Sequence, residues 1–524
     1  RYAGLNVGLR SLSMRHSRIS LDEVLLAITD IEGNPFISFF DRLIKTKLQD
    51  EKPKIVGIAI TFQDQIIPGF TLANIIRNTW SDAIIVMGGQ IITRCWETIV
   101  DHPELPLYAD YLALWDGEIP FLQVHEREMK GVDAELTNLI DLRNGKRNAN
   151  RLDAVLPSPQ LPKGDFSDID FSKYLFPEFL VPMQTTRGCY AKCAFCAIPF
   201  GSNKYRVRDA KMVADEIEEI QEHTLREFGH KATLFKFMED TSSPSMLLSL
   251  SEEIVKRGLD VKWETFARLE KAFASKEVMD QLFAGGCRKI HWGLETNDPY
   301  ILGDMNKKTD ISYTDPILRY AGEAGILNFC FVLVGFPGET DEMRTKLREY
   351  IVGNENIHTI TLATFDLTRK SPMAESFTED NQYGLDCIPA EGFQVRLPYT
   401  VNGLDWKKDI VGAAHQMILE IIRERPDIGL VTLFPDQIRA LFCDRYGNNW
   451  GREFAEKIGK NNVAEMLVNT EKYVTAFKEG RQVDISMLPE PLKREHNRSK
   501  EDIAMIANAV LRRRDYETRR IDQV

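Results

Sequence analysis

Apolar positions along this chain fall into two rhythms, and the rhythm changes more than once. From about residue 50 to 115, short β-rich apolar runs alternate with helical stretches. Lys54–Phe62 (KIVGIAITF) and Ala83–Met87 (AIIVM) read as strands, and Tyr111–Leu114 as a shorter third. Helices are expected through Ile76 and Trp80 and across Ile91–Val100. Strands joined by helices predict a parallel, doubly wound, Rossmann-like sheet. Ligands bind such sheets at the carboxyl ends of the strands, which here are Thr61–Gln65 and Gly88–Gln90.

The pattern then fades, and Leu156-Pro157-Ser158-Pro159 and Lys163-Gly164-Asp165 mark a linker. Six further strand candidates follow: Phe179–Thr186, Thr233–Met238, Val261–Ala267, Lys289–Glu295, Leu327–Gly335 and His358–Leu367. Helical segments separate them, at Asp209–Phe228, Ser245–Arg257, Lys276–Phe283, Asp315–Ala324 and Glu342–Ile351. Six β/α units in sequence predict a partial (β/α)6 barrel of TIM-like type, with its chemistry at the carboxyl ends of the strands. Beyond residue 391 the pattern is mainly helical, with amphipathic segments such as Trp406–Glu424 and Ile503–Arg514. The expected layout is an α/β protein: a Rossmann-like unit over 1–150, a linker over 151–178, a partial barrel over 179–390, and a mainly helical region over 391–524. That last region is expected to close over the barrel mouth as a lid that shapes substrate choice.

Composition narrows the function classes. The chain has 524 residues, a formal net charge of −12 and a pI near 5.5. Such an acidic chain gives no electrostatic reason to expect wide nucleic-acid binding. The basic stretch Arg512-Arg513-Arg514 with Arg519-Arg520 reads as a solvated helix face. No apolar run is long enough to span a bilayer and no secretory signal is found, so a cytoplasmic protein is expected, with no membrane partner. The chain begins at Arg1 without a methionine, as a trimmed N-terminus would.

Of eight cysteines, Cys95, Cys287, Cys330, Cys387 and Cys443 are scattered and read as ordinary buried thiols. The other three sit in Thr186-Arg187-Gly188-Cys189-Tyr190-Ala191-Lys192-Cys193-Ala194-Phe195-Cys196. Three thiolates on one compact loop can bind three irons of a cubane and leave the fourth open to chelate a cofactor. Structural zinc is the alternative, but it normally takes four ligands in paired short spacings, and no fourth cysteine or histidine lies near.

The spacing CxxxCxxC, with an aromatic just before the last cysteine and a strand just before the first, resembles the radical S-adenosylmethionine (SAM) superfamily. The resemblance implies a [4Fe–4S] cluster on Cys189, Cys193 and Cys196, and SAM as a second cofactor. It implies that Glu239 or Asp240 meets the methionine amino group and that Arg268 pairs with its carboxylate. Glu295 would accept from ribose hydroxyls, Phe195 would lie near the adenine, and Gly335 would belong to an adenine and ribose turn. His291, within a strand, reads as a satisfied core histidine.

The first 150 residues are similar to the cobalamin-binding half of cobalamin-dependent radical enzymes. The segments concerned are Ile55–Phe62, Val86-Met87-Gly88-Gly89-Gln90 and Gly117-Glu118-Ile119-Pro120-Phe121. The resemblance implies a cobalamin site on Thr61, Gln63, Gln65, Gly88, Gly89, Gln90, Gly117 and Glu118. No Asp-x-His-x-x-Gly motif occurs, so cobalt would have no histidine beneath it; a domain of this fold without cobalamin is the alternative. The function implied is C-methylation of an unactivated carbon in a natural-product or peptide substrate, with an external electron donor such as flavodoxin or ferredoxin. Radical rearrangement, ring contraction, oxidation, cyclisation or epimerisation without methyl transfer is the rival, and a non-catalytic cobalamin- or iron-binding sensor is a third reading.

Overall fold

The computed structural model describes residues 6–7, 12–132, 136–143, 161–174, 178–198, 204–376 and 381–468. Towards the N-terminus four strands form one sheet, in the order β1 (Ile55–Ala59), β2 (Ile84–Gly88), β3 (Tyr111–Ala113) and β4 (Leu139–Asp141). The first three run parallel and β4 joins antiparallel. The β-rich apolar runs of the sequence predict β1 to β3 but not β4, three residues with Asp141 at their end. Helices α1 (Ile66–Thr79) and α2 (Gln90–Ile99) bury Phe70, Ile91 and Ile92 against Ile58 and Met87 on one face. On the other face α3 (Glu118–Lys130) brings Val124 against Val86 and Tyr111. The edge strand β1 leaves Gly57 and Ala59 exposed on that second face.

The second sheet holds β5 (Leu180–Met183), β6 (Leu234–Phe237), β7 (Lys262–Arg268), β8 (Cys287–Glu295), β9 (Leu327–Val334) and β10 (Thr359–Thr364), side by side in chain order. Every neighbouring pair is parallel. Helices α4 (Ala210–Phe228), α5 (Pro244–Arg257), α6 (Lys276–Ala284), α7 (Thr314–Ala324) and α8 (Asp341–Gly353) join successive strands. One parity of the strands, including Phe235, Phe237 and Trp292, meets Val213, Ile217, Leu247 and Leu318 from those helices in a single core. Burying each such phenylalanine contributes about 1.5–3 kcal/mol.

The other parity carries charge. Lys289 is fully buried, its Nζ 2.6 Å from Glu264 and 2.9 Å from Asp436. Lys236 Nζ lies 2.8 Å from Glu264 and 2.5 Å from Asp436. Lys236, Glu264 and Lys289 sit on adjacent strands β6, β7 and β8, in the amino-terminal halves of β7 and β8. Asp436 opens α11 (Asp436–Tyr446), which packs against β7 and β8.

These contacts correct the expected lid for the described helices α9 (Trp406–Glu424), α10 (Pro426–Leu433), α11 and α12 (Trp450–Ile458). α9 starts at the carboxyl end of β9, where Trp406 Nε1 donates to the Gly335 carbonyl at 2.8 Å. It ends where Arg425 donates to the Ile357 carbonyl at 3.0 Å, just before β10 begins. The helix thus straps the sheet edge, and α11 closes the end opposite the strand carboxyl termini. The physical reason is the pair of buried lysines, which demands a carboxylate at that end. Residues 396–401, expected to be helical, instead form short strands that pair with 367–368 and 385–387. The amphipathic segment 503–514 and the linker residues 151–160 lie outside the described residues.

His291 is also corrected. It is buried, but neither ring nitrogen has a partner within hydrogen-bond distance among the described residues. Its Nε2 is 3.8 Å from Glu264 and 3.7 Å from Asp436, and the ring stacks on Phe266 at 4.4 Å. Desolvation holds its pKa below the usual value.

Burial and the like charge of Asp436 push the Glu264 carboxyl up, but Lys289, His291 and Lys236 outweigh them and hold it well below its ordinary range, at about 2. A depressed carboxylate lends stability that is complete at neutral pH and is lost as pH falls through the folded pKa. Glu264→Leu should destabilise the protein by roughly 3–5 kcal/mol, because it leaves two buried ammonium groups sharing the single carboxylate of Asp436. Adding Lys236→Leu and Lys289→Met should recover most of that loss. Chemical denaturation of the single and triple variants checks this; a single variant as stable as the parent would refute it.

Candidate active site

The cysteine loop leaves the carboxyl end of β5. Thr186–Arg187 pairs antiparallel with Arg206–Val207, and the loop turns directly afterwards. Cys193 is buried, while Cys189 and Cys196 are half-buried; none is in a disulfide. Backbone contacts pin the loop: Ala194 N donates to the Met305 carbonyl at 2.8 Å, and Met373 N to the Ala194 carbonyl at 3.0 Å. Asn306 Nδ2 donates to the Lys192 carbonyl at 2.8 Å. Burial, with the neighbouring thiols adding to it, raises the Cys189 thiol and pushes Cys196 up to about 11. Both are therefore protonated at neutral pH, and a metal must displace those protons.

Two carboxylates follow β6, and the structure separates their tasks. Glu239 is saturated. One oxygen accepts from Thr185 N at 2.9 Å, Thr185 Oγ1 at 2.6 Å and Thr186 N at 3.1 Å. The other accepts from Thr265 Oγ1 at 3.0 Å and from Ser242 Oγ. It ties the start of the cysteine loop to the ends of β6 and β7. Asp240 makes no hydrogen bond or ion pair among the described residues; it is exposed towards a cleft and interacts electrostatically with Arg94.

Arg268 is buried at the end of β7. Its Nη1 donates to Cys193 Sγ at 3.5 Å, its Nε to Glu270 at 3.2 Å, and its Nη2 to the Lys307 carbonyl. Glu295 ends β8 at a register shift, with φ of +60°. Its Oε1 accepts from Lys307 Nζ at 2.6 Å. Such a bulge re-aims the side chain away from the strand's regular alternation. Phe195 packs beside Phe336 and Phe365. Gly335 has φ of +80°, and a Cβ there would meet Ile410 at 2.3 Å, so only glycine fits. Its amide donates to Glu339 at 2.6 Å.

In the first sheet, Thr61 and Gln65 are exposed and Gln63 is half-buried. Gln65 Oε1 accepts from the Thr61 and Phe62 amides at 2.8 and 3.0 Å, which shapes that turn. Gly88 ends β2, Gly89 follows with φ of +100°, and Gln90 opens α2. Gly117 precedes α3, and Glu118 turns to the other sheet: its Oε1 is 2.6 Å from Arg187 Nη1. Asp116 lies 2.5 Å from Arg206 and 3.7 Å from Arg187. The first sheet is thus ion-paired to the root of the cysteine loop.

Sequence reasoning missed Arg187, Arg206, Asp116, Lys307 and Arg94. The first two carried a faint signal as cations flanking the cysteines. Arg94, one turn into α2, makes no hydrogen bond or ion pair among the described residues, and its Nε is buried. Burial lowers its pKa, with Cys196, Cys95 and Asp240 acting against that shift. A mostly buried guanidinium next to Cys196 and Asp240 brings the end of β2 and the end of β6 to one cleft.

The sequence pattern of the radical SAM superfamily matches residues 183–351. An uncharacterized methyltransferase of Pyrococcus horikoshii is 27% identical over 300 residues, covering 55% of this chain and 62% of that protein. The bacteriochlorophyllide d C-12(1)-methyltransferase of Chlorobaculum tepidum is 27% identical over 262 residues, covering 48% and 54%. An anaerobic magnesium-protoporphyrin IX monomethyl ester cyclase of Cereibacter sphaeroides is 25% identical over 311 residues, covering 56% and 48%. The chain therefore spans about half to three-fifths of the length of these relatives. Among solved structures, the radical SAM methyltransferase TsrM of Kitasatospora setae, with cobalamin and a [4Fe–4S] cluster bound, aligns with a TM-score of 0.58 at 18% identity, covering 79% of this chain and 91% of that one. The cobalamin-dependent radical enzyme OxsB, with aqua-cobalamin and SAM bound, aligns at 0.59 and 15%, covering 92% and 74%. The cysteine loop at the end of β5 thus lies inside the stretch, residues 183–351, that matches the radical SAM superfamily, and the fold of the chain is similar to that of TsrM and OxsB.

Proposed function

We propose that the chain is a cobalamin-dependent C-methyltransferase that acts on a small-molecule or peptide substrate in the cleft between its two sheets. The observation that carries this reading is the set of ion pairs from Asp116 and Glu118 to Arg187 and Arg206, which fixes the first sheet to the root of the cysteine loop. The residues fit the cofactors. Cys189, Cys193 and Cys196 are three unbridged thiols on one pinned loop, a donor set for three irons of a [4Fe–4S] cluster. The outward face of β1 offers Gly57 and Ala59 without bulk, and a Cβ on Gly57 would already meet the Phe121 ring at 3.0 Å. With the Gly88-Gly89-Gln90 turn and Thr61–Gln65 above it, that face suits a large planar cofactor such as cobalamin. When bound, the cluster supplies the electron that splits SAM, and methylcobalamin supplies a methyl group.

The chain's own work is positioning. Arg268 holds the methionine carboxylate while its Nη1 stays beside Cys193, a task for which a planar guanidinium is suited. Asp240 takes the amino group, because Glu239 has spent its lone pairs on five donors of the fold. Glu295, with Oε1 fixed by Lys307, keeps Oε2 for the ribose hydroxyls. Phe195 and the Gly335 turn bound the adenine. Radical cyclisation or oxidation without methyl transfer is a second reading, favoured by the similarity to the protoporphyrin ester cyclase.

Anaerobic reconstitution with iron and cobalamin, followed by metal and product analysis, tests the proposal. About four irons and one cobalt per chain, with S-adenosylhomocysteine formed alongside 5′-deoxyadenosine, are expected. Iron without cobalt, and no S-adenosylhomocysteine, would favour the second reading. Because two of the thiols titrate above their ordinary value, cluster assembly should speed up as pH rises from about 7 to 9; iron incorporation that is flat across that range would count against these ligands. Asp240→Asn should weaken SAM binding about ten- to a hundredfold, as measured by equilibrium dialysis, with stability unchanged. Glu239→Gln should do the reverse, lowering thermal stability first.

A further inference from the structure

A cavity of about 490 Å3 opens on the outer side of the cysteine loop, bounded by residues 190–192, 268–271, 306–308, 310 and 313. Three exposed lysines stand around it on three separate segments: Lys192, Lys271 and Lys308. None has an ion-pair partner among the described residues; Lys271 only rests over the Tyr313 ring at 5.8 Å. The acidic residues in the same wall are already engaged. Glu270 accepts from Arg268 Nε at 3.2 Å and from Tyr190 OH at 2.7 Å, and Asp310 caps Ser312 N at 2.9 Å. A chain of net charge −12 therefore presents a local cluster of uncompensated positive charge.

This patch lies directly behind the cysteines. Ala191 and Lys192 in its wall precede Cys193 in the chain, and Arg268, also in the wall, touches Cys193 Sγ at 3.5 Å. Arg94 and Asp240 flank Cys196 instead, on the side facing the first sheet. We propose that the patch docks an acidic one-electron carrier protein, so that reductant and substrate approach the loop from different sides. With a cluster held by Cys189, Cys193 and Cys196, the carrier would give up one electron to it, with no bond formed or broken. The lysines are exposed and come from three separate segments of the wall, which suits a broad acidic face. The inference rests on Cys189, Cys193 and Cys196 holding that centre.

The test uses the anaerobically loaded enzyme and an acidic flavodoxin as probe. Iron content and the signal of the dithionite-reduced centre are recorded first; a chain that takes up no iron fails the cluster assignment, while flavodoxin binding still reports on the surface. Parent affinity should fall with added salt. Lys271→Glu/Lys308→Glu should weaken binding about tenfold or more, slow reduction by flavodoxin in step, and leave the dithionite-reduced signal unchanged. Lys271→Arg/Lys308→Arg should bind like the parent. Unchanged flavodoxin affinity and reduction rate in the charge-reversed variant would overturn the proposal. So would binding of inorganic phosphate that this variant abolishes while flavodoxin affinity holds.

Discussion

The ion pairs joining Arg187 and Arg206 to Asp116 and Glu118 set the frame for everything at the cleft. Two sheets that each expose the carboxyl ends of their parallel strands have no intrinsic reason to face one another. These four residues supply one, and they do so at the foot of the cysteine loop, two residues before Cys189. Arg206 and Asp116 are largely removed from solvent, so their attraction is screened less by salt than a surface pair would be. Any tilt of the first sheet therefore pulls on the backbone that carries the thiols. The spacing between the Gly88–Gln90 turn on one sheet and the ends of β6 and β7 on the other is coupled to that loop through side chains of opposite charge.

A second electrostatic device works at the far end of the second sheet. Lys236, Glu264, Lys289 and Asp436 form a compensated cluster beneath the apolar layer of Phe266, His291 and Phe331. An apolar filling would do as well for stability, since buried ion pairs roughly break even against hydrophobic substitutes. What the charges add is address. Only a helix that brings a carboxylate at its first residue satisfies both lysines, which selects α11 for this end of the sheet.

Much of this was legible in the sequence, and the failures have physical causes. Apolar residues concentrated in a short run, as in Lys289–Glu295 and Leu327–Gly335, mark a buried strand from local sequence alone. The three-residue strand at Leu139 offers no such run. CxxxCxxC is a local constraint, so its meaning is readable locally. Glu239 and Asp240 are adjacent and chemically alike; which one is engaged depends on Thr185, Thr186, Ser242 and Thr265, contributed by other strands. The same holds for Arg94, whose importance comes from residues about a hundred or more positions away in the chain. The C-terminal helices were recognisable as amphipathic, but amphipathicity specifies that a face is covered and not which surface covers it.

The cysteine loop is held by amide-to-carbonyl bonds to Met305, Asn306 and Met373. The loop therefore needs no metal to keep its shape, unlike a zinc finger, which collapses when stripped. In a cell this separates two events in time: the chain can reach its native form first and receive an oxygen-sensitive inorganic part afterwards. Damage to that part then leaves a scaffold fit to be refilled, so that what wears out is the cargo and not the protein.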